Sequence, residues 1–253
     1  MIILISPAKR LNLKDTIQSN IKTKPIFIDD AEKIVKQLRT KTSRQIGQLM
    51  GISENLANLN LQRFAEWSKN KNESRQAIFT FDGDVYSGLD AYTLNKSELK
   101  TAQKYLRILS GLYGILRPLD QLQPYRLEMG TKLKVEKHEN LYSFWSSDIT
   151  RRINAEIVKT NSQSVVNLAS NEYSKVINRK TISKKIIDVS FKNKKNGKYK
   201  VISFNAKKAR GMMARFIIKN QILDIGGIKK FNDNGYFFSA TDSSPDELIF
   251  LKD

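Results

Sequence analysis

The 253-residue sequence contains no cysteine and a single histidine. The first absence excludes disulfides, thiolate metal sites and cysteine nucleophiles, and it fits a reducing compartment. The second leaves His138 as the sole imidazole, set in the charged stretch Thr131 to Asn140, so neither a histidine triad nor a histidine metal cluster can be assembled. No apolar run approaches the ~18 residues of a membrane span, and Met1 to Ile5 is too short for a secretory leader. There is no internal repeat and no low-complexity tail. Carboxylates are scarce as well: 25 Asp and Glu stand against 44 Lys and Arg, giving +19 and a pI near 9.9. The expected protein is therefore soluble and cytoplasmic, with no cofactor, no metal site, no membrane and no obligate protein partner. A polyanion, nucleic acid first, is what such a charge attracts. The chain is also rich in Lys, Asn and Ile, a bias that an AT-rich genome produces, so charge alone does not decide the partner.

A hydrophobic content of 40% is enough for the core of one large domain or two small ones. Met1 to Ile5 reads as a buried strand ended by Ser6-Pro7, and the loop after it offers Lys9 and Arg10 as anion contacts. Residues 11–28 read as an irregular polar excursion. An acidic first turn, Asp29-Asp30-Ala31-Glu32, then opens a helix that runs to about Lys41. In Thr42 to Trp67, Thr42 and Gln45 fit a capping box, Ile46 and Leu49 share a face, Gly51 fits a left-handed stop, and Ser53 can cap a second helix through Leu59, Phe64 and Trp67. Ile46 to Ala57 resembles the helix-hairpin-helix DNA-binding motif, in which hairpin amides and the second helix's N-terminus hold a phosphate. Gly51, Ile52 and Ser53 are its candidates here, with Ser53 where that motif usually has its second glycine.

Ser68 to Ser74 reads as a polar linker. Ala77 to Leu89 passes from an apolar run into a glycine-punctuated loop bearing Asp82, Asp84 and Tyr86. Two carboxylates suit Mg²⁺ or acid–base work, but without a third ligand at a telling spacing, helix capping or pairing with local arginines is favoured. Asn95 and Glu98 start a helix to about Arg107, whose basic face (Lys96, Lys100, Lys104, Arg107) is expected in solvent. The chain is organised around Leu109 to Gly130, where glycines, prolines, tyrosines, Arg117, Asp120, Arg126 and Glu128 crowd together. Pro118 and Pro124 fix their own φ and bias Arg117 and Gln123 toward extended backbone. The segment reads either as a functional surface or as a connector whose charges pair internally, Arg117 with Asp120 and Arg126 with Glu128.

Leu141 to Val158 reads as a helix with Leu141, Phe144, Trp145, Ile149, Ile153 and Ile157 inward. Ser164 to Ala169 is a short strand that delivers Ser170 to Lys175 as its loop. Lys184 to Phe191 and Lys198 to Phe204 read as strands joined at Asn196-Gly197. Lys207 to Asn220 follows as a helix with Ala209, Met213, Phe216 and Ile217 inward. Lys208, Arg215 and Lys219 share another face, with Lys207 and Arg210 beside it. Cations at a helix start cost a few tenths of a kcal/mol each, about 0.3 or more, unless an anion lies opposite.

Six stretches together, Ile3 to Lys9, Gly83 to Leu89, Leu109 to Asp120, Pro124 to Gly130, Asn167 to Tyr173 and Lys207 to Phe216, closely resemble the YaaA family of bacterial peroxide-stress proteins. The resemblance implies one α/β domain over residues 1–253, a mixed sheet with surrounding helices in an unusual topology, containing a helix-hairpin-helix at about 42–67. It also implies a positively charged cleft that binds duplex or branched DNA and a cytosolic role in limiting iron-linked peroxide damage. The phosphate-binding candidates are Lys9, Gly51, Ile52, Ser53, Arg117, Arg126, Lys207, Lys208, Arg210 and Arg215. The alternative is an enzyme acting on a nucleotide, another phosphorylated substrate or damaged DNA. Its acid or base would come from Glu128, Glu172, Asp84 or Tyr125.

Overall fold

A computed structural model describes residues 1–15, 19–71 and 74–253. Strand β1 (Ile2–Ile5) is buried at every position, as an unbroken apolar run requires when both faces of a sheet are covered. In chain order the strands joining it are β2 (Leu106–Ser110), β3 (Gly114–Leu116), β4 (Val165–Asn167), β5 (Ile186–Lys195), β6 (Lys198–Lys200), β7 (Phe237–Ser244) and β8 (Glu247–Lys252). Their order is β7-β8-β5-β4-β1-β2-β3, with β6 hairpinned onto β5. Strands β2, β1, β4, β5 and β8 run parallel, while β3, β6 and β7 pair antiparallel at the margins, so the sheet is mixed. Helices surround it, and the architecture is α/β as expected. The chain leaves β1, returns on one side as β2, and later returns on the other side as β4. That switch opens a crevice beyond the C-terminal ends of the central strands.

Local signals were obeyed where they were strong. Helix α1 (Ile28–Arg39) carries Asp29 and Asp30 in its first turn and Arg39 in its last. Helices α2 (Ser43–Met50) and α3 (Glu54–Glu66) follow, and Thr42 and Gln45 make both bonds of the capping box. Gly51 lies in the left-handed region at φ 60°, ψ 47°, and its Cβ position is open space, so the turn itself requires glycine. Ser53 occupies the N-cap position of α3, but its hydroxyl accepts no capping bond. Phe64 and Trp67 are buried, whereas Leu59 is 41% exposed. Helices α4 (Asp84–Leu89), α5 (Lys96–Tyr105), α6 (Leu141–Thr160) and α7 (Ser203–Lys219) complete the scaffold. All six apolar positions expected on α6 are buried. Parts of the excursion at 11–28 and of the linker at 68–74 lie outside the described residues.

Three elements differ from the sequence reading, the first being the expected glycine-punctuated loop, in which Asp84 and Tyr86 instead belong to helix α4 (Asp84–Leu89). The α5 helix ends at Tyr105, so Arg107 belongs to β2 and is 2% exposed instead of solvated. Once the run Leu106–Ser110 is committed to the sheet interior, the arginine in it goes inside too and needs a carboxylate. Helix α7 starts at Ser203, a turn early, which takes Phe204 out of the expected strand and leaves it 60% exposed. Lys207 consequently sits a turn inside the helix, away from its most positive end.

Helices α4 and α7 touch backbone to backbone. A Cβ on Gly211 would lie 1.8 Å from the Val85 carbonyl oxygen, and one on Gly88 would lie 2.1 Å from the Lys208 carbonyl oxygen. Gly211→Ala gains about 1 kcal/mol of helix propensity, yet the backbones must part, and overpacking costs about 1–3 kcal/mol or more. The expected outcome is net destabilisation, read as a lower denaturant midpoint with an unchanged slope.

Candidate functional site

The crevice beyond β1 and β4 holds a cavity of about 350 Å³. The Ser170 N–H donates to Ser6 Oγ at 2.9 Å, tying together the loops that leave those two strands. Tyr86, on α4, donates from its hydroxyl to the Ser6 carbonyl at 3.1 Å. Burial pushes that phenol, and likewise Tyr173 in the cavity wall, well above the ordinary tyrosine pKa. The β1 loop contributes Lys9 and Arg10, the start of α4 contributes Asp84, the turn after β4 contributes Glu172, and α7 contributes Lys207 and Arg210. Glu128, from the end of the Leu109 to Gly130 stretch, reaches the same wall.

The pairing pattern within the cavity is uneven. Lys9 Nζ lies 3.2 Å from Glu128 Oε1, and Arg126 donates to the same oxygen at 3.2 Å. Arg10 Nε lies 2.7 Å from Asp82, the pairing with a local arginine that the carboxylate spacing suggested. Glu172 Oε1 accepts from the Gly130 N–H at 3.2 Å. Two buried polar atoms, Glu128 Oε2 and Arg210 Nε, have no hydrogen-bond partner among the described residues. Desolvation lowers the Arg210 pKa, and no carboxylate opposes that effect. A cationic donor and an anionic acceptor left unmatched in one recess suit a ligand with both an acidic group and a proton to donate.

Other expected site residues lie elsewhere. Tyr125 is 4% exposed; its hydroxyl meets Ser110 Oγ at 2.6 Å and its ring packs edge-on to Tyr113. Burial drives its pKa strongly upward and that of Tyr113 to about 12. Most of the organising stretch thus serves the interior: Tyr113 accepts a bond from Trp67 at 2.9 Å, and Gly111 accepts one from Trp145 at 2.9 Å. Arg117 is held by Asp120 at 2.8 Å and by the Lys24 carbonyl at 3.0 Å, on a different surface. Arg215 donates to the carbonyls of Leu89 and Asp90 at 3.0 and 2.8 Å, closing the end of α4. Lys208 is exposed beside Lys207. Gly51 and Ile52 line a separate hollow with Arg44 and Glu54, and Ser53 adjoins it. Sequence reasoning missed Ser6 and Ser170 as the tie between loops. Their only signal was that each closely follows an apolar strand run.

A family model described as peroxide stress protein YaaA matches residues 1–242. The chain belongs to the YaaA peroxide-stress family. Relatives align with this chain over nearly their whole length. A UPF0246 protein of Idiomarina loihiensis is 48% identical over 254 residues, covering 100% of this chain and 98% of the relative. UPF0246 proteins from two strains of Aliivibrio fischeri are 48% identical over 255 residues, with the same coverage. Membership of a family of peroxide stress proteins agrees with a peroxide-stress role for this chain. Among the described residues, no helix is long and apolar enough to cross a membrane.

Proposed function

We propose that the protein binds DNA along its sugar-phosphate backbone, with little sequence preference, and in doing so helps limit iron-linked oxidative damage in the cytoplasm. The observation that carries this reading is the hairpin between α2 and α3. Gly51 turns the chain tightly, and the helix that follows begins without a side-chain cap, leaving first-turn amides for an anion. Arg44 lines the same hollow. The charge of +19 supplies long-range attraction, and exposed Lys207 and Lys208 offer further phosphate contacts. Glu54, the one carboxylate lining the hairpin hollow, works against an anion there.

Fluorescence anisotropy with a labelled duplex tests this. Gly51→Val places a β-branched residue at positive φ and is expected to weaken binding about tenfold by distorting the hairpin. Lys207→Ala/Lys208→Ala/Arg210→Ala is expected to weaken it further, and Glu54→Gln to tighten it. Wild-type affinity in both weakening variants would refute the reading.

A second reading is supported by the convergence of Lys9, Lys207 and Arg210 with Asp84, Glu128 and Glu172 around one ligand-sized cavity. There a phosphorylated or nucleotide substrate would meet cations on one side, with Glu128 or Glu172 as acid or base. Glu128→Gln separates the two readings. It leaves duplex affinity unchanged if the hairpin does the binding, and it abolishes turnover if the cavity does chemistry.

A further inference from the structure

A second cavity, of about 380 Å³, opens near the N-terminal end of β2 and differs from the first in its electrostatics. It is lined by Lys100 and Lys104 of α5, Arg107 of β2, Arg117 beyond β3, and Arg152 and Lys159 of α6. Glu156 is the only carboxylate in its wall, and Asp120 holds Arg117 from behind. Six cations less two carboxylates leave an excess of four positive charges.

The carboxylates position the arginines and do not fill the space. Glu156 grips Arg107 through Oε2 at 2.7 Å and Arg152 through Oε1, so one side chain holds two guanidiniums together. Asp120 takes the Nε edge and one amine of Arg117 at 3.0 and 2.8 Å. The arginines repel one another: Arg117 and Arg152 both depress the pKa of Arg107, after burial. Lys100, Lys104 and Lys159 are exposed at the rim and have no carboxylate partner among the described residues. Guanidiniums fixed in advance and flexible ammonium groups around them suit phosphate, the first by planar geometry and the second as point charges.

We propose that this basic cavity binds a small ligand carrying two or more linked phosphoryl groups, an inorganic diphosphate or a nucleoside polyphosphate. One phosphate brings at most about two negative charges, so balancing four takes two phosphates. The volume lies at the lower end of the range of about 300–1,000 Å³ usual for small-ligand sites. A duplex backbone can touch the rim lysines but cannot enter a recess of that size. This site is independent of the hairpin and of the crevice beyond β1.

Titration calorimetry without metal ions tests the assignment, using inorganic diphosphate and ATP as probes and inorganic phosphate and adenosine as controls. Diphosphate and ATP are expected to bind the wild type, and phosphate to bind more weakly. Lys100→Gln/Lys104→Gln/Lys159→Gln changes exposed residues only and is expected to weaken both probes at least about tenfold. Lys198→Gln/Lys200→Gln removes two exposed charges that line neither cavity and is expected to leave them unchanged. The assignment is overturned by absence of heat with both probes, by equal affinity in the rim variant, by equal loss of binding in the Lys198/Lys200 variant, or by a rim variant that loses duplex binding alone.

Discussion

Raising salt from 50 to 200 mM is expected to cut affinity for duplex DNA by about 10³–10⁵, provided the protein neutralises about 6–10 phosphates. The loss comes from counterions: each phosphate met by a lysine or arginine releases condensed cations, and added salt opposes their release. The net charge of +19 overstates the surface available for this. Arg10, Arg117, Arg126, Arg179 and Arg215 each lie within 4 Å of a carboxylate, and only cations free to leave their partners contribute. Anisotropy titrations at stepped NaCl concentrations give the slope of log affinity against log salt. A slope near zero would remove backbone binding from consideration, while a slope of about −5 to −9 fits the stated number of contacts.

Glu156→Ala is expected to cost about 3–5 kcal/mol of folding stability, because it leaves buried guanidinium charge without compensation. Glu156 and Arg107 side chains are each 3% exposed. Arg107 also caps the end of α5, donating to the carbonyls of Gln103 and Lys104 at 3.1 and 3.2 Å, so its displacement would loosen that helix as well. For a chain of this size the loss corresponds to roughly 2–4 °C in Tm per kcal/mol. Burial alone would raise the Glu156 pKa, but the charges and hydrogen bonds of Arg107 and Arg152 outweigh it and hold the carboxyl below its ordinary value of 4.5. A carboxyl depressed in the native state stabilises fully above its unfolded pKa and loses that contribution as pH falls through the native value. The wild-type advantage over Glu156→Ala is therefore expected intact at pH 7 and shrinking below about pH 4.5. Superimposable denaturation curves for the two proteins at pH 7 would contradict the assignment of Glu156 as the clamp.

Features governed by neighbours in sequence were readable in advance. The capping box at Thr42 and Gln45, the left-handed Gly51, the apolar stripe of α6, the turn at Asn196-Gly197 and the close pairs Arg117 with Asp120 and Arg126 with Glu128 all involve residues a few positions apart. What escaped depends on distant partners. Arg107 looked like one more basic residue on a helix because its carboxylate lies 49 positions away. The cations expected on one concave wall divide among several surfaces: Lys9, Lys207 and Arg210 reach the crevice, Arg117 faces the basic cavity, and Arg215 closes a helix end. Local pattern cannot report which cations keep their charge available, since that is decided by the carboxylates the fold delivers.

The place of β1 in the sheet bears on how the protein is made. Ile3 pairs with Leu106 on one side and Val166 on the other, so during translation this oily strand emerges well before either neighbour exists. At about 5–20 residues per second, the roughly hundred residues to the first of them take on the order of 5–20 s. For that interval the nascent chain carries an apolar ribbon that lacks both of its sheet neighbours, so β1 cannot take its native pairing until β2 arrives.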